Sequence, residues 1–171
     1  LRAGAREVVA VDVGYGQLAW SLRTDPRVRV FERTNVREIT PNLIGGAAHL
    51  TVADLSFISL RLVLPALAAC TERAGDLVLM VKPQFEVGRG RVGTGGVVRD
   101  PDLRAEAVGE VANAAARIEL GVAGVAPSPL PGPAGNVEYF LWLRHGAPPL
   151  RSATTNCRSP CPSFNRSRSE R

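Results

Sequence analysis

The sequence predicts an α/β fold built on a mostly parallel sheet whose last strand runs antiparallel. Three observations predict it. Short Val- and Leu-rich runs alternate with helical segments along the chain, the pattern of β-α units that lays strands side by side in parallel. Three of these runs close on a charged residue, Asp12, Asp54 and Lys82. The last two apolar runs are separated only by the Pro/Gly-rich stretch 128–135, too short for a crossover helix, so they can pair antiparallel.

The elements follow in order. Val8 to Val13 is a Val-rich run ending in an acid and a Gly-Tyr-Gly turn, which reads as a buried parallel strand. Residues 17–23 read as a short helix stopped before Asp25-Pro26, and 28–31 as a second strand. A turn or short helix is expected over 41–46, and a third strand over 50–54. Residues 60–70 are helical in pattern despite Pro65, expected to kink the helix or mark its start. A fourth strand spans 76–81, with Lys82-Pro83 at its end. The stretch 86–98 carries Gly88, Gly90, Gly93, Gly95 and Gly96 and reads as a mobile loop. Asp100-Pro101 opens a helix with an N-cap acid and a first-turn proline, and its Ala-rich body runs over 103–120 to Gly121. Strands over 122–126 and 137–143 complete the set.

A chain of 171 residues is about one domain and can bury a real core. Periodicity ends near Gly146, so 1–146 is expected to form the domain and 147–171 a disordered basic tail. That tail holds most of the formal net charge of +5, with Arg151, Arg158, Arg166, Arg168 and Arg171 against Glu170. The folded part is therefore near neutral, which weakens an argument for nucleic acid from charge alone. No apolar run reaches the ~18 residues of a membrane helix, and the polar start is unlike a signal peptide. The chain opens on Leu1 without a Met and is expected to begin inside a longer protein. Cys70 reads as a buried thiol. Cys157 and Cys161 have no His or further Cys at ligand spacing, so neither a disulfide framework nor a metal site is expected, and a reducing cytoplasm is the expected compartment.

Asp12, Asp54, Lys82 and Glu138 stand at strand ends. In open α/β sheets ligands bind outside the carboxyl ends of strands, and an antiparallel last strand brings its start to the same rim. Asp12 can accept the hydroxyls of a cofactor ribose, or can cap a helix. Asn35 can meet an adenine edge, or can form a turn. Lys82 beside Pro83 can serve as a base next to Asp54, or the two can form a structural ion pair. The glycine-rich loop lacks the Gly-Lys-Ser/Thr of a phosphate loop. It suits a lid or substrate loop, with Arg89 and Arg91 placed for phosphates, or plain flexibility.

Four blocks carry a more specific resemblance: residues 12–20 (DVGYGQLAW), 53–60 (ADLSFISL), 81–86 (VKPQFE) and 135–140 (GNVEYF). In order and identity they resemble the TlyA/hemolysin-A family, similar to the FtsJ-like ribose methyltransferases, across roughly residues 1–144. The resemblance implies a Rossmann-like S-adenosylmethionine-dependent methyltransferase sheet lacking its first strand, which in the family lies between the strands ending here at Asp12 and Asp54. It implies 2′-O-methylation of cytidine in ribosomal RNA, with S-adenosyl-L-methionine as cofactor and ribosomal RNA or ribosomal subunits as partner. Of the family's Lys-Asp-Lys-Glu set, Asp54, Lys82 and Glu138 match the last three places. The implied cofactor residues are Asp12, Asn35, Val36 and Asp54. The first lysine, an S4-type RNA-binding domain and the Gly-rich cofactor strand are expected upstream of Leu1. The other readings are an inactive fragment or hemolysin-like membrane-active protein, and a nicotinamide-dependent enzyme, which explains neither Lys82-Pro83 nor the 136–138 block.

Overall fold

A computed structural model describes residues 1–150, apart from the side chain of Arg89. Its strands fall into two hydrogen-bonded sets. β1 (Val8–Val11) and β2 (Val28–Phe31) pair in parallel, Val8 opposite Val28 and Val11 opposite Phe31. The second set has the order β3 (Ala48–Ala53), β4 (Thr71–Val81), β6 (Tyr139–His145), β5 (Leu120–Pro127). β3 and β4 are parallel, and β6 runs antiparallel to both its neighbours. The mostly parallel sheet with a reversed last strand is thus present. No ladder joins β1 to β3 among the described residues, the position where the first strand was expected to be missing.

One core serves both sets. Leu77, Leu79 and Val81 of β4 and Tyr139, Leu141 and Leu143 of β6 alternate with more exposed neighbours, so each strand sends one face inward. That face meets Leu60, Val63, Leu64 and Leu67 of α3 (Leu60–Ala69) and Val108, Val111 and Ala115 of α5 (Pro101–Ala116). Val9 and Val11 of β1 pack on the same cluster. Pro65 lies inside α3 without ending it. Asp100 caps α5 by accepting from the Asp102 N–H at 2.8 Å, and Pro101 follows, as the sequence suggested.

Several boundaries move. α1 is only Trp20–Arg23, and α2 is Pro41–Ile44, capped by Thr40. α5 stops at Ala116 rather than near 120, because Glu119 takes a left-handed backbone (φ 63°) and Leu120 and Gly121 join β5. β4 begins at Thr71, five residues early, with a register shift against β3 between Ala48 and Leu50. A short helix, α4 (Pro83–Glu86), follows β4, where a first-turn proline suits a helix start. The glycine-rich stretch holds two 3-10 turns, Arg89–Arg91 and Thr94–Gly96. Residues 147–150, the first of the expected tail, are among those described. The Pro148 carbonyl accepts from the Val122 N–H at 2.8 Å and Leu150 packs on the core, so these residues cover the free edge of β5. The remainder of that tail, 151–171, with Cys157 and Cys161, lies outside the described residues.

Asp76 and Arg144 face each other across β4 and β6. The Asp76 carboxylate accepts from Arg144 Nε at 2.8 Å, Arg144 Nη2 at 2.9 Å and Trp142 Nε1 at 2.7 Å. The Arg144 guanidinium, and then the indole N–H, hold this carboxyl below its ordinary range. A depressed folded pKa stabilises the fold fully above the unfolded carboxylate value of about 4, and that contribution is lost as pH falls through the depressed value. Asp76→Asn is therefore expected to lower the urea midpoint at neutral pH, with the gap to the parent closing in strong acid. A gap that persisted unchanged in acid would assign the effect to packing instead.

Candidate active site

The register gathers the strand-end groups. Ala53 pairs with Leu79 and Val81 with Tyr139, so Asp54, Lys82 and Glu138 each stand one residue beyond a paired core position at one rim of the sheet. Lys82 Nζ lies 2.7 Å from Asp54 Oδ1 and donates to Ser56 Oγ at 3.2 Å. The Lys82 side chain is only 12% exposed and that of Asp54 65%, so the ion pair has a buried and an open side. Glu138 is 5% exposed and accepts from Gln84 Nε2 at 3.3 Å. A Cβ on Gly132 would stand 2.7 Å from Glu138 Oε1, so a side chain there would have to displace the carboxylate.

The loop after Asp54 is held in an unusual conformation. Phe57 has φ 63°, a region that a bulky side chain rarely adopts, and the residue is 91% exposed. The ring leans on Phe85 with centroids 5.2 Å apart. Such outliers persist only where the surroundings impose them, and they cluster at functional sites.

Asp12 sits at the end of β1, in the other strand set. Its Oδ1 accepts from the Gly14 N–H at 2.7 Å, so it closes a turn rather than capping a helix. Its backbone carbonyl accepts from the Thr34 N–H at 3.0 Å, which brings Asn35 alongside. Asn35 Oδ1 accepts from the Arg37 N–H at 3.0 Å and caps the 3-10 turn Val36–Glu38. The Val36 side chain packs on the core. A depression of about 570 Å³ lies along the following segment, lined by Tyr15, Trp20 and Arg23 among others, and none of the strand-end groups lines it.

The glycine-rich loop is tied down more than its composition suggests. Asn136, 2% exposed, accepts from the Val98 N–H and donates to the Gly96 carbonyl, both at 2.9 Å. Arg91, expected for phosphates, is instead paired with Glu106 of α5, and the Arg89 side chain lies outside the described residues. No group of His, Cys, Asp or Glu able to hold a metal occurs among the described residues. Among them no helix is long and apolar enough to cross a membrane.

The model of the FtsJ-like methyltransferases matches residues 1–145. The chain belongs to that family. A 16S/23S rRNA (cytidine-2′-O)-methyltransferase, TlyA of Mycobacterium tuberculosis, is 65% identical over 144 residues, covering 84% of this chain and 54% of the relative. Hemolysin A of Brachyspira hyodysenteriae is 36% identical, covering 82% and 59%. A solved Streptococcus thermophilus structure, named provisionally as a hemolysin, superposes with a TM-score of 0.84 at 39% identity, covering 91% of this chain and 57% of that one. The chain thus spans about half the length of the curated relatives it matches.

In this FtsJ-like chain some site features escaped the sequence reading although a signal existed. Lys82 is the single lysine among 171 residues, beside 20 arginines. Its amine, unlike a guanidinium, is a group able to give up a proton. Ser56, Gln84, Glu86 and Asn136 lay inside the four sequence blocks without a role of their own. Their partners are distant in sequence, and only the fold reveals them.

Proposed function

We propose that this chain carries the catalytic centre for S-adenosylmethionine-dependent 2′-O-methylation of cytidine ribose in ribosomal RNA, acting in the cytoplasm. The observation that carries the reading is the lone lysine, held against Asp54 and Ser56 at the strand ends with Glu138 one register step away. The identity with a cytidine-2′-O-methyltransferase supports the same reaction.

The residues at the β1 end fit the cofactor. Only Oδ1 of Asp12 is engaged by Gly14, which leaves the second carboxylate oxygen for ribose hydroxyls. A Cβ on Gly14 would crowd that carboxylate at 3.1 Å and Gln17 at 2.9 Å, so glycine keeps the approach open. Asn35 and the Val36 backbone stand beside it for the adenine, and Asp54 faces the centre from β3. When bound, the cofactor supplies a methyl group on a sulfonium, made electrophilic by the positive sulfur.

The chain's own groups handle the proton and the geometry. Asp54 Oδ1 and Ser56 Oγ occupy two of the three donor positions of the Lys82 ammonium. As the free amine, Lys82 would accept the ribose 2′-hydroxyl proton, and Asp54 would stabilise the ammonium so formed. Glu138, held by Gln84, orients the ribose from the β6 side. Phe57, backed by Phe85, offers a flat face on which the base of the reacting nucleotide can stack. Much of the remaining acceleration would come from holding the 2′-hydroxyl in place against the methyl donor.

Two measurements test the reading. Methyl transfer to ribosomal subunits should leave the product bond resistant to alkaline cleavage, as a blocked 2′-oxygen requires. Methylation on a base would overturn it. Calorimetric titration with S-adenosylmethionine should show saturable binding, weakened by about tenfold or more in Asp12→Ala, since hydrogen bonds to a charged group are among the stronger ones. Binding undiminished in that variant would remove Asp12 from the cofactor site.

A further inference from the structure

Glu86 ends α4, is 5% exposed as a residue, and its side chain is 1% exposed. A buried carboxylate is costly unless its oxygens are met, and both of these are. Oε2 accepts from Ser59 Oγ at 2.5 Å and lies 3.5 Å from Arg61 Nε, and Oε1 accepts from the Leu60 N–H at 2.7 Å. The Arg61 guanidinium also donates to the Glu86 carbonyl at 3.2 Å. All these partners lie at the far end of the loop that starts at Asp54.

The two segments therefore run side by side and are stapled along their length. Asp54 and Ser56 meet Lys82, Phe57 meets Phe85, and Ser59 and Leu60 meet Glu86. Lys82 and Glu86 belong to one turn of chain, so anchoring one end of the loop limits where the other end can go. The left-handed Phe57 lies between the anchors, a conformation that a loop free at one end would relax.

We infer that Glu86 is a positioning residue of the Lys82 centre: it pins the far end of the 54–60 loop so that Asp54 and Ser56 are held on the lysine and Phe57 is held outward. Its bearing on catalysis rests on the methyl-transfer reading, whereas the coupling to Lys82 stands on geometry alone. Because the chain has one lysine, brief acylation of its amine followed by peptide mass analysis reports on Lys82 directly, without RNA or cofactor.

Glu86→Ala should raise the acylation rate of Lys82 by about tenfold, as local opening exposes a nitrogen that the loop now covers. The labelling rate of buried Cys70, read from its own peptide, should stay unchanged. Glu86→Gln should restore most of the protection, since its carbonyl oxygen can accept from Leu60 and its amide can donate to Ser59. In methyl transfer, Glu86→Ala should lower kcat with little change in KM for RNA. An unchanged Lys82 rate in Glu86→Ala would overturn the inference. Should Cys70 open together with Lys82, the fold has been lost, and Ser59→Ala then decides: a Lys82 rate equal to the parent's overturns the inference, and a selective increase supports it. A parent chain that transfers no methyl group while Lys82 still responds to Glu86 would count against the activity and leave the coupling intact.

Discussion

Lys82→Arg is expected to lower methyl transfer by about 10²–10⁴-fold, the usual contribution of a positioned proton acceptor. The substitution isolates one property. Arginine keeps the positive charge and can still pair with Asp54, which lies 2.7 Å from the lysine nitrogen. It cannot give up its proton, so it cannot take one from a ribose hydroxyl. If Lys82 served only as a counter-ion for Asp54, or as an electrostatic contact to phosphate, arginine would replace it with little loss. The measurement is methyl transfer to ribosomal subunits under saturating cofactor, with thermal unfolding and cofactor titration run alongside. Activity close to the parent's would sink the role as base. A large loss of activity with unchanged unfolding and cofactor binding would place the defect in the proton-transfer step.

What could be read from the sequence, and what could not, divides along physical lines. The strands ending at Asp12, Asp54 and Lys82 were legible because each is a short apolar run closing on a charge. The reversed direction of β6 was legible because 128–135 is too short to cross the sheet. The start of β4 at Thr71 was not, since residues 71–76 are mostly polar and only Thr71 and Asp76 pair with β3, across the register shift between Ala48 and Leu50. The early end of α5 was missed for a related reason, since 117–120 continue its helical pattern and β5 claims Leu120 for the sheet. Within the site, the residue types of Asp54, Lys82 and Glu138 announced chemistry. Glu86 and Asn136 did not, because a buried carboxylate or amide owes its role to partners that folding supplies. Asn35 shows the opposite case: the modest turn-forming role is visible in its bond to Arg37, while the ligand role still rests on neighbourhood.

The largest loss of stability is expected from Leu141→Ala, about 2–5 kcal/mol, the range for deleting a buried leucine whose cavity cannot collapse. Leu141 is 0% exposed and sits on β6, which has a partner strand on each side, opposite Leu79 on β4 and Val125 on β5. Its face of the sheet is covered by α3 and α5, so the neighbours are fixed by two ladders and two helices and can close little of the gap. For a domain whose whole stability is of order 5–15 kcal/mol, this is a substantial share. Urea unfolding should show the midpoint falling with the slope unchanged, because the surface exposed on unfolding hardly differs. Val52 provides the contrast. It lies on the other face of β3, 71% exposed, and its truncation to alanine should cost about 0.5 kcal/mol or less. The difference between the two variants measures the asymmetry of the sheet: one face is closed over by α3 and α5, and the other leaves Leu50 and Val52 open. If the two substitutions cost the same, the assignment of the core to the α3 and α5 side would be wrong.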